Sequence, residues 1–491
     1  MKKEWLILGI ILVAAIYLRG VGLDSTPPGL YPDEAMNGNN AIETLRTGDY
    51  KVYYEDNNGR EGLYIWLQAA ALQWLPQTAS TLRLPSVWFG IITVLGLYLL
   101  LRETYRGEFN SQHKKYDQKV AGLTATFFLA TSFWHINFSR IAFRAIMAPA
   151  FMVLALWLFL KSLNKETGGW GFWYAAGAGI FFGLGFYSYI AYRIMPLLFL
   201  GFIPFYYKDK RFWQMMGCLV VATFIVAAPL GFYYLQNPTD FFGRTTQIAV
   251  TEASNPLYAI GFNTLKTIGM FNIVGDFNWR HNYAGAPLLV WPVGLLFLLG
   301  LVYSVRQIFR TGFRKNDSLP AWLWLIWLVL ALVPVITSNE GLPHALRAIL
   351  AVPPVFILAG IGGGLTYEWL RHKTERIKWL APGTAVLLAL VLAGQSYQMY
   401  FYSWGENEKV AEAFKAKDQE IAQEINATLK QTPKYILVES GPGVKGIPIS
   451  AQSVAFLTNS FLPEDRKENN IIYVTKEDLS NLSSTAKLFK I

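Results

Sequence analysis

Two carboxylates sit side by side in the stretch GLYPDEAMNG, residues 29–38: Asp33 and Glu34 follow a Tyr-Pro step, just beyond an apolar N-terminal segment. Further polar motifs follow at wide intervals. YYEDNNGREG offers Glu55, Asp56, Arg60 and Glu61, and HINFSRIAFRAIMAP offers His135, Arg140 and Arg144. YSYIAYRIMP offers Arg193, GDFNWRHNYAGAP offers Asp276, Arg280 and His281, and NEGLPHALRAIL offers His344 and Arg347. A carboxylate can take the proton of an attacking hydroxyl. Arginine suits phosphate because its planar fork donates two hydrogen bonds to it. Together they fit glycosyl transfer from a lipid-linked sugar phosphate. A phosphate departs without protonation, so one base is enough, whereas glycosidases need a second carboxyl group for an alkoxide leaving group. Asp33 or Glu34 would be the base. Arg140, Arg144, Arg193 and Arg347 would stabilise charge on the departing phosphate. Glu55, Asp56, Arg60, Glu61, Asp276, Arg280, His281 and His344 would contact substrate.

Each motif alone has a blander reading. An arginine at a helix end snorkels to lipid headgroups, an Asp-Glu pair is a solvated turn, and the histidines are hydrogen-bonded structural residues. They lack close ligand spacing, so the expected site contains no metal; a divalent ion stays possible but unsupported by spacing. No nucleotide-binding glycine motif is present, which fits a lipid donor rather than a nucleotide sugar.

The elements that must carry these residues are mostly apolar helices. Of 491 residues, 53% are hydrophobic and only 15% charged, against about 25% charged in ordinary soluble domains; mean hydropathy is +0.28. This is the composition of a membrane protein. A spanning helix needs roughly 20 apolar residues. Eleven candidates fit, near 4–19, 82–101, 120–137, 143–161, 171–188, 191–207, 214–235, 286–305, 321–338, 346–367 and 379–399. With the N-terminus inside, Lys and Arg concentrate in the inner segments, while the outer loops are balanced in charge, the positive-inside pattern. The net charge of +10 is then mostly topology and not a nucleic-acid footprint. Every unusual polar motif falls on the outer side. The apolar segment of the first outer loop, REGLYIWLQAAALQWLP, is short for a span and is expected to lie in the interface. Prolines and glycines around Asp33 and Glu34 predict a turn. One cysteine, Cys218, allows no internal disulfide.

From about residue 400 the composition changes. Helix-forming residues are followed by KYILVES and NIIYVTK, which read as short strands. The expected organisation is a membrane domain over 1–400 and a small extracytoplasmic α/β domain over 401–491.

The motifs YPDEAMNG, GLYIWLQA, LRLPSVWFGIITVLGLYLL, SRIAFRAIMAP, YSYIAYRIMP, GDFNWRHN and HALRAI, in this order, resemble the GT-C membrane glycosyltransferases. The resemblance is to the protein mannosyltransferase-like group of family 39, a relative of the aminoarabinose transferases, in its bacterial branch. It covers roughly residues 1–400 and implies an all-α polytopic fold with interfacial helices in the first outer loop. It also implies an inverting transferase that moves a sugar from a polyprenyl-phosphate donor to an acceptor hydroxyl of a protein, lipid or glycan. Asp33 matches the family's catalytic aspartate, Glu34 its neighbour, Arg140 an important outer-face arginine, and Arg347 a donor-phosphate contact. The implied setting is a bacterial cytoplasmic membrane, with the N-terminus cytoplasmic and the active site and tail extracytoplasmic. Two departures stand out. SRIAFRAIMAP has Arg144 and no acid where aminoarabinose transferases carry one, and GREG replaces their Lys-Pro-Pro. Alternative readings are a lipid-linked glycan polymerase or ligase, a lipid or glycan flippase, and a non-enzymatic scaffold.

Overall fold

The computed structural model describes residues 2–105, 116–247, 250–252, 255–312, 315–339, 341–439, 443–477 and 487–491. Parts of the basic inner segments, 106–115 and 313–314, lie outside the described residues. The chain packs as two compact units. One comprises Met1–Arg19, Trp88–Ser139 and Arg144–Gln398; the other comprises Gly20–Val87, Arg140–Phe143 and Met399–Ile491.

The first unit is helical. Among the described residues, seven helices are long and apolar enough to cross a membrane: Ala79–Thr104, Arg144–Leu163, Lys210–Gln236, Trp291–Thr311, Ser318–Ile336, Ile349–Lys373 and Leu380–Trp404. The first of these gives its opening turns, through Val87, to the other unit. The remaining four expected spans fall on helices that are shorter or charged at their ends. Helix Lys2–Gly20 carries Lys2, Lys3, Glu4 and Arg19. The span expected near 120–137 breaks at Ser132 into Gln118–Thr131 and Phe133–Arg140. Trp170–Gly185 has 16 residues. The span expected near 191–207 is split into Ile190–Ile194, Pro196–Leu200 and Ile203–Tyr206. Pro196 and Pro204 lack the N–H that a continuous helix would need there.

The second unit joins the first long loop to the tail. Its central helix is Pro32–Thr47, and the expected turn at the acidic pair is instead the start of this helix. Pro32 occupies the first helical position, where its missing N–H costs nothing and its φ is already helical. Asp33 and Glu34 follow in the first turn, where the helix dipole favours negative charge. The apolar segment forms a helix of 12 residues, Leu63–Trp74, about 18 Å long at 1.5 Å per residue and so too short to span. Tyr53–Tyr54 and Arg60–Glu61 pair as a short antiparallel hairpin.

In the tail, both expected strands form. Lys434–Leu437 and Ile471–Val474 pair in parallel, and Lys487–Lys490 adds a third parallel strand on the other side. Ile436, Val438, Ile447, Val454, Phe461 and Phe489 are among the residues of its core. The chain re-enters this unit at Met399, and the same unit also contains the first long loop, Gly20–Val87. Helix Pro32–Thr47 packs along the tail helix Gln452–Leu457. A Cβ on Gly38 would press on the Leu82 and Phe456 side chains, so a larger residue there would force them to shift. Asn39 Nδ2 donates to Gln452 Oε1 at 2.8 Å, and Ser453 Oγ donates to the Leu30 carbonyl at 2.7 Å. Gly29 has φ +77° and lies against the backbone of Phe414 and Ala416.

Candidate functional site: an acidic helix terminus and its supports

Asp33 and Glu34 are adjacent, yet their surroundings differ sharply. Glu34 is fully buried. Its Oε1 accepts from Arg83 Nε at 3.1 Å and from the Ala142 N–H at 2.7 Å. Its Oε2 accepts from Arg83 Nη2 at 3.3 Å and from the Tyr31 N–H at 3.1 Å. The last bond is half of a capping box, in which the third helical residue reaches back to the N-cap. Arg83 is itself fully buried and also donates to the carbonyls of Leu23, Pro27 and Gly29. Glu34 therefore ties together the helix start, the loop before it and the turn at 140–143. Asp33 is only partly buried. Its Oδ1 accepts one hydrogen bond, from Asn57 Nδ2 at 2.8 Å.

Asn57 comes from a tight loop in which Asn57, Asn58 and Gly59 all have positive φ, at 52°, 65° and 79°. Asn and Gly tolerate that region best, so the DNNG sequence is suited to this loop. Beneath it, Arg60 is buried and donates to Asn37 Oδ1 at 2.7 Å and Asn40 Oδ1 at 2.6 Å. Asp56 accepts from Asn40 at 3.4 Å. Asn37 in turn donates to the Ala142 carbonyl at 3.2 Å. Glu61 is buried in the hairpin and Glu55 is exposed. The helix carrying the pair is thus polar in sequence but almost wholly buried, with Asn37, Asn39 and Asn40 all inside.

The four arginines expected at phosphate divide between the units, Arg140 in one and Arg144, Arg193 and Arg347 in the other. Arg140 is fully buried. Its Nη2 donates to the carbonyls of Gly22 at 3.0 Å and Thr26 at 2.7 Å, and its guanidinium lies over the rings of Tyr400 and Phe401. Arg144 is half-buried in a 3-10 turn. Arg193, also half-buried, donates to the Phe241 carbonyl at 2.7 Å and to Tyr234 Oη at 3.0 Å, and it stacks on both rings. Tyr234 and Phe241 are walls of an apolar cavity of about 1030 Å³, lined also by Phe186, Phe199, Phe224 and Leu235. Arg347 is buried and donates to Ser338 Oγ.

No protein-family model matches the sequence, and no curated protein matches it either. Among solved structures the chain is similar to ArnT from Cupriavidus metallidurans bound to undecaprenyl phosphate, with TM-score 0.61 and 13% identity over 98% of this chain and 91% of that one. The apo state of the same protein gives 0.59 and 13% over 93% and 85%. The archaeal oligosaccharyltransferase AglB from Archaeoglobus fulgidus, in complex with an inhibitory peptide and a dolichol-phosphate, gives 0.53 and 13% over 97% and 70%. The chain has the GT-C fold. It is a multi-pass membrane protein of that architecture.

Within this GT-C chain, the structure groups the remaining expected residues around one loop. Asp276, Arg280 and His281 lie between helices Pro256–Gly269 and Trp291–Thr311. His281 Nδ1 is 3.0 Å from Asp276 Oδ2 and His344 Nδ1 is 3.8 Å from it. The same Oδ2 accepts the Ala345 N–H at 2.8 Å. Burial holds the His281 imidazole below its usual range against the pull of Asp276, which favours the neutral ring at pH 7. Arg280 donates to Asn278 Oδ1 at 3.2 Å and its carbonyl accepts from Asn137. His135 is buried, with Nδ1 2.8 Å from Arg19 Nη2.

Two residues escaped the sequence reading. Arg83 stands in TLRLPS, at the mouth of an expected span, where an arginine reads as an interfacial anchor. Asn57 lies in a loop otherwise read for its charges. Neither residue type announces a carboxylate partner so far away in the chain.

Proposed function

We propose that this chain is an inverting glycosyltransferase that moves a sugar from a polyprenyl-phosphate donor to an acceptor hydroxyl on the extracytoplasmic face. The observation that carries this reading is the division of labour in the acidic pair. Glu34 is engaged by four N–H donors, so its lone pairs are occupied and it is buried away from an acceptor. Asp33 keeps an accessible carboxylate, oriented by one amide. The base is therefore Asp33, and Glu34 is its positioning neighbour.

The GT-C fold supports a lipid-linked donor, since ArnT of this fold was captured with undecaprenyl phosphate and AglB with a dolichol-phosphate. The apolar cavity walled by Phe199, Phe224 and Leu235 suits a polyprenyl chain. Arg193 stacks on two of its wall residues and is suited to the phosphate at the head of that chain. Arg144 and Arg347 are the further candidates for donor phosphate. Burial and carbonyl bonding give Arg140 a structural part.

In the reaction, Asp33 takes the acceptor proton as the hydroxyl oxygen attacks the anomeric carbon from the face opposite the phosphate. The glycosidic C–O bond to phosphate breaks, its electron pair leaves on polyprenyl phosphate, and the configuration inverts. The test is release of polyprenyl phosphate by purified full-length protein given a panel of polyprenyl-phosphate sugars and candidate acceptors. Release by the wild type and not by Asp33→Asn supports the reading and names the sugar. Equal release by both removes Asp33 as the base. Transport of the same lipids across liposomes without release would replace the transferase by a flippase.

A further inference from the structure

Asp276, His281 and His344 each present one ligand atom, and these three atoms lie within 4.8 Å of one another. A tetrahedral cation with ligands at about 2.0–2.1 Å has ligand–ligand edges of about 3.3 Å. The edges from Asp276 Oδ2, 3.0 Å to His281 Nδ1 and 3.8 Å to His344 Nδ1, straddle that value. The two imidazoles are 4.9 Å apart between centroids and tilted by 30°, so both rings lie beside the same carboxylate. We propose that Asp276, His281 and His344 form a binding site for a single divalent transition-metal ion of the zinc class, with one coordination position open.

The loop around the three residues is built to hold them. Asp276 Oδ1 accepts the Asn278 N–H at 2.8 Å, and Oδ2 accepts the Ala345 N–H at 2.8 Å. The Asp276 carbonyl accepts the Gly285 N–H at 2.9 Å and Asn282 Nδ2 at 3.2 Å. Such outer contacts orient a ligating carboxylate before the metal arrives. Without metal, the His281 Nδ1–H donates to Asp276. Metal binding takes the Nδ1 lone pair and leaves the ring hydrogen on Nε2, so the ring stays neutral. His344 Nδ1 exchanges a long contact of 3.4 Å with the Arg347 N–H for the metal.

The donor set selects the class of ion. Magnesium and calcium need several oxygen ligands, and among the described residues this site offers one carboxylate. Arg280 and Arg347 are close enough to act on His281 electrostatically, which works against ions held by charge alone. Two imidazole nitrogens favour zinc, cobalt or nickel, which form strong bonds to nitrogen. Three protein ligands among the described residues match the ligand count of reactive rather than closed zinc sites.

The test is cobalt binding to full-length protein in detergent after chelator treatment. The expected result is one cobalt per chain, with the visible absorption of a four- or five-coordinate site, and displacement by stoichiometric zinc. His344 is half-buried, and His344→Gln is expected to weaken binding by at least about 100-fold, more than the loss of an outer contact. Chelation is expected to lower the thermal midpoint of the wild type, and zinc to restore it. A stripped wild type that takes up no cobalt, or a His344→Gln protein that binds it as tightly, overturns the proposal. Because uptake is read directly, the result is independent of whether the chain transfers sugar.

Discussion

The acidic-pair helix and the Asp276 loop both place a buried carboxylate near arginine, but they satisfy it differently. Glu34 is matched by a fixed cation, Arg83, and by two backbone N–H groups. Asp276 is matched by two backbone N–H groups and by histidines. A guanidinium is always charged, so the Glu34 cluster is permanently neutralised and works as a structural pin. An imidazole can trade its proton for a metal or remain neutral, so the Asp276 cluster keeps a chemical option open. In the first region the accessible carboxylate is that of the neighbour Asp33. In the second the carboxylate and the imidazoles lie together in one cluster.

The sharpest way to break this contrast is Asp33→Asn. Loss of a general base costs about 10²–10⁴-fold, and kcat for polyprenyl phosphate release is expected to fall by that much while the thermal midpoint in detergent holds. Next comes Glu34→Gln, or Arg83→Met. Removing one partner of a buried pair costs about 3–5 kcal/mol, so either change is expected to lower the thermal midpoint strongly. The paired change Glu34→Gln with Arg83→Met is expected to recover part of that loss. A thermal midpoint unchanged by Arg83→Met would show that Glu34 is no pin.

Asn57→Ala is expected to act more gently. It removes one hydrogen bond to an ionised group and lowers kcat about tenfold, with little change in KM or folding. The smallest effect belongs to a third carboxylate. Asp418 is buried in the tail, and burial pushes its carboxyl up to about 6 although Lys415 pulls it down. The folded chain then holds this proton more tightly than the unfolded chain, whose Asp titrates near about 4. The contribution to stability is complete below about pH 4, is lost as pH rises to about 6, and is flat above. Asp418→Asn is expected to remove that slope and to raise the thermal midpoint above pH 6.

Much of the architecture was legible in the sequence because it is local. Long apolar runs produce helices such as Lys210–Gln236 and Ile349–Lys373, and short runs rich in isoleucine, valine and tyrosine produce Lys434–Leu437 and Ile471–Val474. Proline and glycine broke the run at 191–207 where a hydropathy window sees only apolar residues. The acidic pair was visible as a pair, but which member is occupied was not, because Arg83 and Ala142 reach Glu34 from distant parts of the chain. The three residues of the proposed metal site were all singled out, yet as separate substrate contacts. Asp276 and His281 share a loop while His344 belongs to a different turn, so no spacing rule joins them.

The packing of Pro32–Thr47 along Gln452–Leu457 also has a consequence in time. Asp33 and Glu34 leave the ribosome more than 400 residues before the tail helix Gln452–Leu457 that seats their segment. Until translation passes residue 457, Asn39 lacks Gln452, the Leu30 carbonyl lacks Ser453, and Gly38 has no Phe456 to press against. A nascent or prematurely terminated chain would carry every apolar helix and both carboxylates without a settled helix to display them. The segment around Gln452–Phe456 thus acts as a completion check on the segment Leu30–Asn39.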